Sequence, residues 1–277
     1  MSYTKAKFQD DQMKQLRSNI KELREVFEQI SVRYISEFNL ETAKKDEDGI
    51  EVKNRMLERD YDVMPVISNN RIVGYVLQSE LNERTCVEQM KNIMPIDILA
   101  ESTPVLDLLV LFRDRDWLFV LEGNEIKGIV AKGDLRKAPV RMFLFALVNL
   151  IEMHLTHLIR NLCEKGELMQ LLTEKRFKKA EELFEKRKKR NEALDIFDCL
   201  QLCDKRDISM KKNEIYNQIK LESKKETLHC LEEIEKLRDR LAHGHDIISG
   251  TSWKDVIDLT VKMEKMIRRC EENLAIV

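Results

Sequence analysis

The run Arg238-Asp239-Arg240-Leu241-Ala242-His243, followed at once by Gly244 and His245, gathers guanidinium, carboxylate and imidazole groups at a defined spacing. On a helix Asp239 and His243 stand four apart and share a face, so the carboxylate is expected to orient the imidazole and raise its pKa. Arg238 precedes His243 by five residues, about 140° round the helix at roughly 100° per residue. Its long side chain still reaches a phosphate held near the helix end. Such a set suits transesterification within RNA. The imidazole takes the 2′-hydroxyl proton or protonates the leaving 5′-oxygen, and the guanidinium stabilises charge building on the phosphoryl group. The substrate supplies the nucleophile, so no metal is required, and DNA could not react this way. The same residues also read as an ordinary helix ending. Glycine just past the last turn is a C-cap, and Arg or His within that turn favours the macrodipole. Spacing alone leaves both readings open.

The elements that must position this run are helical. From Ala138 onward the pattern predicts an antiparallel bundle joined by short connections. Val140 to Cys163 reads as one apolar helix, with Phe143, Leu147, Leu150, Met153 and Leu158 as core candidates. The charged stretch Lys175 to Arg190 holds Lys186-Arg-Lys-Lys-Arg190, which could meet RNA phosphates. Its interleaved Glu181, Glu182 and Glu185 favour a solvated helix face. Ile215, Ile219, Leu228, Leu231, Ile234, Leu237 and Leu241 predict a helix ending near Gly244, and Trp253, Val256, Ile257, Met263, Ile267, Cys270 and Leu274 predict the last one. At the other end of the chain, Met13, Leu16, Ile20, Leu23, Phe27 and Ile30 form a narrow seam on a helix that Asp10 or Asp11 could cap. That seam suits self-association or packing onto its own domain equally.

Composition sets outer limits. With 277 residues there is room for two domains. Charged residues make up 35% but nearly cancel to a net charge of −2, which excludes a polyelectrolyte that binds nucleic acid along its whole length. The apolar run Val140 to Ile151 is interrupted by Arg141 and Asn149 and stopped by Glu152, and is expected to be too short to span a bilayer. Lys5, Lys7, Asp10 and Asp11 precede any apolar stretch, so no export signal is expected. The six cysteines, Cys86, Cys163, Cys199, Cys203, Cys230 and Cys270, are then expected to be reduced thiols in the cytoplasm. Cys199 and Cys203 lack a second Cys/His pair at ligand spacing, so they read as two residues on one helix face rather than a zinc site.

Between Val32 and Leu135 the texture turns to mixed strand and helix. Tyr61-Asp-Val-Met-Pro-Val-Ile-Ser predicts a strand, Ser68-Asn69-Asn70 a turn, and Arg71-Ile-Val-Gly-Tyr-Val-Leu a second strand running into a helix start at Ser79-Glu80. The same order returns 54 residues later in Asp116-Trp-Leu-Phe-Val-Leu, Glu122-Gly-Asn and Glu125-Ile-Lys-Gly-Ile-Val-Ala, ending at Asp134-Leu135. Gly74 then matches Gly128, and Glu80 matches Asp134.

At these residues the chain resembles a pair of CBS domains, the tandem arrangement called a Bateman module. That resemblance implies two repeats packed about a pseudo-twofold axis, with adenosine nucleotides (AMP, ADP, ATP or relatives) bound in the clefts as regulatory ligands. It assigns ribose contacts to Glu80 and Asp134, with phosphate meeting free N–H groups of a following helix. The family usually places Thr or Ser three residues earlier, where this chain has Leu77 and Ala131. Arg238-Asp239-x-x-x-His243 near the end of a late helix is similar in turn to the signature of HEPN domains, all-α, metal-independent endoribonucleases whose sites form at a homodimer interface. By that resemblance Arg238 and His243 are catalytic, Asp239 supports them, and Glu152 on the first bundle helix contributes.

The expected architecture is therefore α+β: an N-terminal helix over 1–30, a CBS pair over 31–137, and a HEPN-like all-α domain over 138–277. The expected function is a ligand-regulated, metal-independent ribonuclease, a homodimer without membrane contact, of the kind that serves stress response or phage defence. The alternative is a nucleotide-sensing or dimerisation scaffold whose helical domain binds a partner.

Overall fold

In the computed structural model, which describes residues 14, 18–192 and 194–275, the repeat becomes two copies of one small sheet. β1 (Ala43–Lys44) runs parallel to β2 (Val63–Ser68), which pairs antiparallel with β3 (Arg71–Leu77). β4 (Ile98–Ala100), β5 (Trp117–Glu122) and β6 (Glu125–Ala131) repeat that order. The register repeats as well. Val63 faces Leu77 as Trp117 faces Ala131, and the ladder slips between Val66 and Ile67 as it does between Val120 and Leu121. Asn69 and Asn70 both have positive φ, 50° and 58°, the backbone that a two-residue hairpin of matching twist demands and that Asn tolerates.

Gly74 sits where Tyr75 bridges Lys91, and Gly128 where Ile129 bridges Glu37. A Cβ on Gly74 would lie 2.4 Å from Met90 Cγ and 2.6 Å from the Lys91 carbonyl; on Gly128 the nearest atoms, Glu37 O and the Phe38 ring, are 3.1 Å away. The glycines of the repeat are therefore places where another strand crosses close to the sheet.

Helices pack on these sheets. α2 (Gly49–Arg59) begins at Asp48, whose carboxylate accepts from the N–H of Ile50 and Glu51, a cap worth about 1 kcal/mol. It buries Val52 and Met56 against Ala43, Met64, Val66, Val76, Leu81 and Cys86. α3 (Cys86–Gln89) is a single turn, and α4 (Val105–Leu111) buries Val105, Leu108 and Leu109. The helix expected to start at Ser79-Glu80 does not form. Residues 78–80 make one turn, closed by the Glu80 N–H on the Leu77 carbonyl. Leu81 then drops into the core and diverts the chain. After β6 there is only a 3₁₀ turn, Lys132–Arg136.

The fold is α+β, and the chain divides into two compact units, one spanning Ile30–Lys137 and the other joining the N-terminal helix to the segment from Ala138 onward. In the second, α1 (residues 18–28) turns Ile20 and Phe27 inward, and Phe27 meets Phe143 edge-on with ring centroids 5.5 Å apart. Arg24 bonds Glu264 at 2.7 Å and Glu271 at 3.3 Å. Of the two fates open to the apolar seam, Ile20 and Phe27 take the second, packing within their own unit. Asp10, Asp11, Met13 and Leu16 lie outside the described residues.

α5 (Ala138–Leu162) is the central helix of this unit. It continues well past Glu152, so by length and composition it could cross a bilayer, contrary to the short run expected, but 72% of its most apolar window is buried inside the fold. Phe143, Leu147, Leu150 and Leu158 are buried as expected, Met153 only in part. Around it stand α6 (Leu168–Leu171), α7 (Glu174–Lys188), α8 (Leu202–Lys211), α9 (Asn213–Ile219), α10 (Lys224–Ala242) and α11 (Trp253–Ala275). α7 buries only Ala180, the solvated helix its charges predict. The single helix expected from Ile215 to Leu241 is broken at 220–223, where the Ser223 hydroxyl accepts from the Glu226 N–H and caps α10. Leu228 is correspondingly exposed. The Leu274 side chain lies outside the described residues. All six cysteines are free thiols.

Candidate functional site

Among the described residues, one place in each unit bears on the expected chemistry.

The first is a cleft of about 370 Å³ in the sheet unit, lined from both repeats. Its apolar walls come from Leu40, Val63, Pro65, Trp117, Ile129 and Ala131, with Tyr61 at the edge. Strand alternation explains the set, because Val63 and Pro65 of β2 and Ile129 and Ala131 of β6 are each two apart and face one way. Trp117 is steadied edge-on by Tyr75 at 4.9 Å and by Phe119 at 5.1 Å between centroids. Asp134 lines this cleft. One carboxylate oxygen accepts from the Ala131 N–H at 2.7 Å, and the other pairs with Lys137 at 2.8 Å. Lys137 also donates to the Ile35 carbonyl at 2.5 Å. Asp134 thus closes the backbone turn on which it stands, and its outer oxygen already carries an ammonium.

Glu80 occupies the matching place in the first repeat but a different environment. Lys91 reaches it at 2.5 Å. Lys91 is the repeat counterpart of Glu37, since each bridges the equivalent strand residue, Tyr75 and Ile129 respectively. Asp97 and Arg115 of the second repeat form another ion pair, 3.3 Å long, and all four charges act on Tyr75. The duplication has therefore produced one half-site whose charges are paired and one that is acidic. The helix N-termini expected to offer N–H groups to phosphate are absent after β3 and reduced to one 3₁₀ turn after β6, too short to build a dipole.

The second place is the end of α10. His243 is the C-cap residue and, with Gly244 and His245, is exposed; Gly244 has φ +70°, the left-handed conformation of a helix C-cap. The His243 and His245 rings lie 5.9 Å apart. Asp239 does not meet the His243 ring as expected. Its carboxylate pairs with Arg238 at 2.9 Å, and only its backbone carbonyl contacts His243, accepting the N–H at 3.1 Å. Adjacent side chains on an exposed turn close this pair more readily than the axial reach to a residue already leaving the helix.

Glu152 is not brought to the run. It pairs with the buried Lys205 of α8 at 2.8 Å, eleven residues along α5 from Arg141 and therefore about 16 Å away along the axis. Arg141 is the residue that the sequence understated, since it entered only as an interruption of an apolar helix. Its guanidinium donates to the carbonyls of Arg240 at 2.7 Å, Leu241 at 3.0 Å and His245 at 2.9 Å. It thereby supplies donors to carbonyls at and just past the helix end, of which Arg240's also accepts from the His245 N–H. A lone cation in the buried stretch of a helix always needs such a partner, and that was the available signal.

Residues 90–141 match the CBS domain family, a segment that contains Trp117, Ile129, Ala131, Asp134 and Lys137 of the cleft. A zinc metalloprotease of Methanocaldococcus jannaschii is 26% identical over 121 residues, 44% of this chain and 35% of the relative, so the chain spans about a third of that protein's length. None of the five histidines here is followed by glutamate, so the sequence contains no His-Glu-x-x-His. Among solved structures, a CBSX2 protein in complex with AMP is 18% identical with a TM-score of 0.35, covering 40% of this chain and 97% of its own. A CBS domain pair in complex with 5′-methylthioadenosine and S-adenosylmethionine is 17% identical with a TM-score of 0.34, covering 38% of this chain and 95% of its own.

Proposed function

We propose that the chain is a ligand-responsive regulator. Its CBS pair binds an adenine nucleoside or nucleotide, and its helical unit acts as a metal-independent, HEPN-like endoribonuclease in a homodimer. The Asp134 cleft carries the sensor half of this reading: an aromatic wall for a base, a carboxylate for ribose hydroxyls, and, at Trp117, Ile129, Ala131, Asp134 and Lys137, a lining that lies within the segment matching the CBS family. The output half rests on Arg238 and His243, which stand at the helix end whose carbonyls at Arg240, Leu241 and His245 accept from Arg141. There the guanidinium would stabilise phosphoryl charge while the imidazole moves the 2′-hydroxyl proton, and ligand binding would act by favouring one arrangement of the two copies over another. Free thiols throughout favour the cytoplasm, and a role in stress response or phage defence fits such a switch.

The Arg238–Asp239 ion pair favours a second reading. A guanidinium already neutralised, beside an imidazole that no carboxylate orients, suits a scaffold whose helical unit binds a partner. Labelled RNA incubated in EDTA with wild type, His243→Ala and Arg238→Ala decides between them. Cleavage by wild type, lost by at least about a hundredfold in either variant, is the expected result. Equal rates in all three would leave the scaffold.

A further inference from the structure

The Asp134 cleft is lined by six carboxylates, Glu37, Glu41, Asp60, Asp62, Asp116 and Asp134, against one ammonium, Lys137. That ammonium is already held by Asp134 and by the Ile35 carbonyl. Lys132, on the same turn, is paired with Asp116 at 2.7 Å. Arg55 and Arg59 approach Glu41 at 3.8 and 3.9 Å but do not line the cavity. Among the described residues, Asp60, Asp62 and Glu37 have no ion pair, and the Glu37 carboxylate accepts from the Asn39 N–H. What the cleft offers a phosphate is small: its one ammonium is already engaged, its other side-chain donors are the neutral groups of Asn39, Tyr61 and Trp117, Ala131 and Gly133 bring no hydroxyl, and the Ala131 N–H is bound by Asp134. The walls, by contrast, are aromatic and aliphatic, and the volume of about 370 Å³ is that of a small-ligand site.

We propose that this cleft selects a purine nucleoside whose 5′ substituent is neutral or cationic, and rejects nucleoside phosphates. The base lies on the Trp117 and Tyr61 walls and the ribose hydroxyls donate to carboxylate, while a positively charged 5′ group, such as a sulfonium, faces the unpaired Asp60 and Asp62. A phosphate in the same place would meet six carboxylates and a single ammonium that is already paired. This inference rests on the ligand-binding reading above and adds to it the charge of the ligand.

Calorimetric titration of the full chain with adenosine, 5′-methylthioadenosine, S-adenosylmethionine, AMP and ATP, at low and high salt, tests it. The expected order places S-adenosylmethionine first and the two phosphates last. A gap on the order of tenfold or more separates them at low salt and narrows at high salt. In the double variant Asp60→Asn, Asp62→Asn, sulfonium binding weakens and AMP binding strengthens, each by about tenfold. Asn keeps the left-handed backbone of residue 60 (φ 57°), and thermal unfolding of the unliganded variant checks that the fold survives. AMP or ATP binding as tightly as the sulfonium overturns the charge selection and leaves the sensor reading standing. Binding of none of the five overturns both.

Discussion

Replacing Arg141 with Met tests whether the chemistry-bearing end of α10 is held from outside. Met keeps an unbranched apolar stem and removes the guanidinium, so burial of the stem changes little. What is lost is a set of three hydrogen bonds, 2.7 to 3.0 Å long, from one cation to the carbonyls of Arg240, Leu241 and His245. A hydrogen bond to a charged group contributes about 1.5–3 kcal/mol when its partner is left buried. A cation at a helix C-terminus contributes about 0.3–1 kcal/mol. These carbonyls lie at a partly solvated end where water replaces some of the lost donors, so the net cost is about 2 kcal/mol rather than the full sum. Local opening of the last turn then becomes about thirtyfold more frequent. Hydrogen exchange of the amides in 241–245 should quicken by that factor, while amides near the Phe27–Phe143 contact stay unchanged. If the RNA-cleaving reading holds, the cleavage rate falls with it although Arg238 and His243 are intact. Unaltered exchange in 241–245, together with less than about 0.5 kcal/mol lost on unfolding, would refute the clamp.

Two further predictions concern stability. Burial holds the His154 imidazole neutral, with His157 and Arg24 adding to the effect, and its pKa falls from 6.5 to about 4. The unfolded chain therefore binds the extra proton between those values. The stability at stake is complete above pH 6.5 and lost as pH falls toward 4, up to about 3 kcal/mol. Glu271, 3.9 Å away, has its carboxyl raised by burial and works in the opposite direction, by holding its proton in the folded chain. Denaturant unfolding of His154→Leu from pH 7 to pH 4 should show a flatter acid limb than wild type, and parallel curves would contradict the assignment. In the sheet unit, Gly74→Ala forces a Cβ to 2.6 Å from the Lys91 carbonyl, whereas Gly128→Ala meets its nearest atoms at 3.1 Å. The first should cost about 3 kcal/mol and the second about 1 kcal/mol by thermal unfolding; equal costs would mean that the crossing strand at Met90–Lys91 yields freely.

The repeat was legible because it is written in local chemistry. Strand alternation, the paired glycines and the turn at Asn69-Asn70 recur at one offset, and the register and slip of both ladders follow it. The apolar period of α5 and α11 was legible for the same reason. What escaped depends on contacts between residues distant in sequence. No period in the sequence says that Arg141 reaches across about a hundred residues to three carbonyls, or that Lys205 takes up Glu152. Spacing of four placed Asp239 near His243, but a neighbouring guanidinium competes for the same carboxylate and wins at an exposed turn. The missing helices after β3 and β6 failed for another reason. An acidic residue opening a helix and one closing a single turn have the same sequence signature, and only the burial of Leu81 and Leu135 just beyond distinguishes them.

Duplication sets the two halves of the sheet unit on equal backbones, and single positions then separate their chemistry. Residue 37 in one half is Glu, and its counterpart 91 in the other is Lys. Because each bridges the equivalent strand residue, this one exchange changes the sign of charge beside the acidic residue of each half. Glu80 receives a partner from across the sheet, while Asp134 must take its cation, Lys137, from its own turn. Lys91, from the second repeat, neutralises the half-site at Glu80. In the half-site at Asp134, Glu37 adds to Asp60 and Asp62, and none of the three has an ion pair among the described residues. A repeat built only as a scaffold has no physical need for that asymmetry, since equal internal pairing would stabilise both halves alike. On the ligand reading proposed above, the unbalanced half-site is where a cationic or neutral ligand would do most, and the balanced one is where the fold would tolerate its absence.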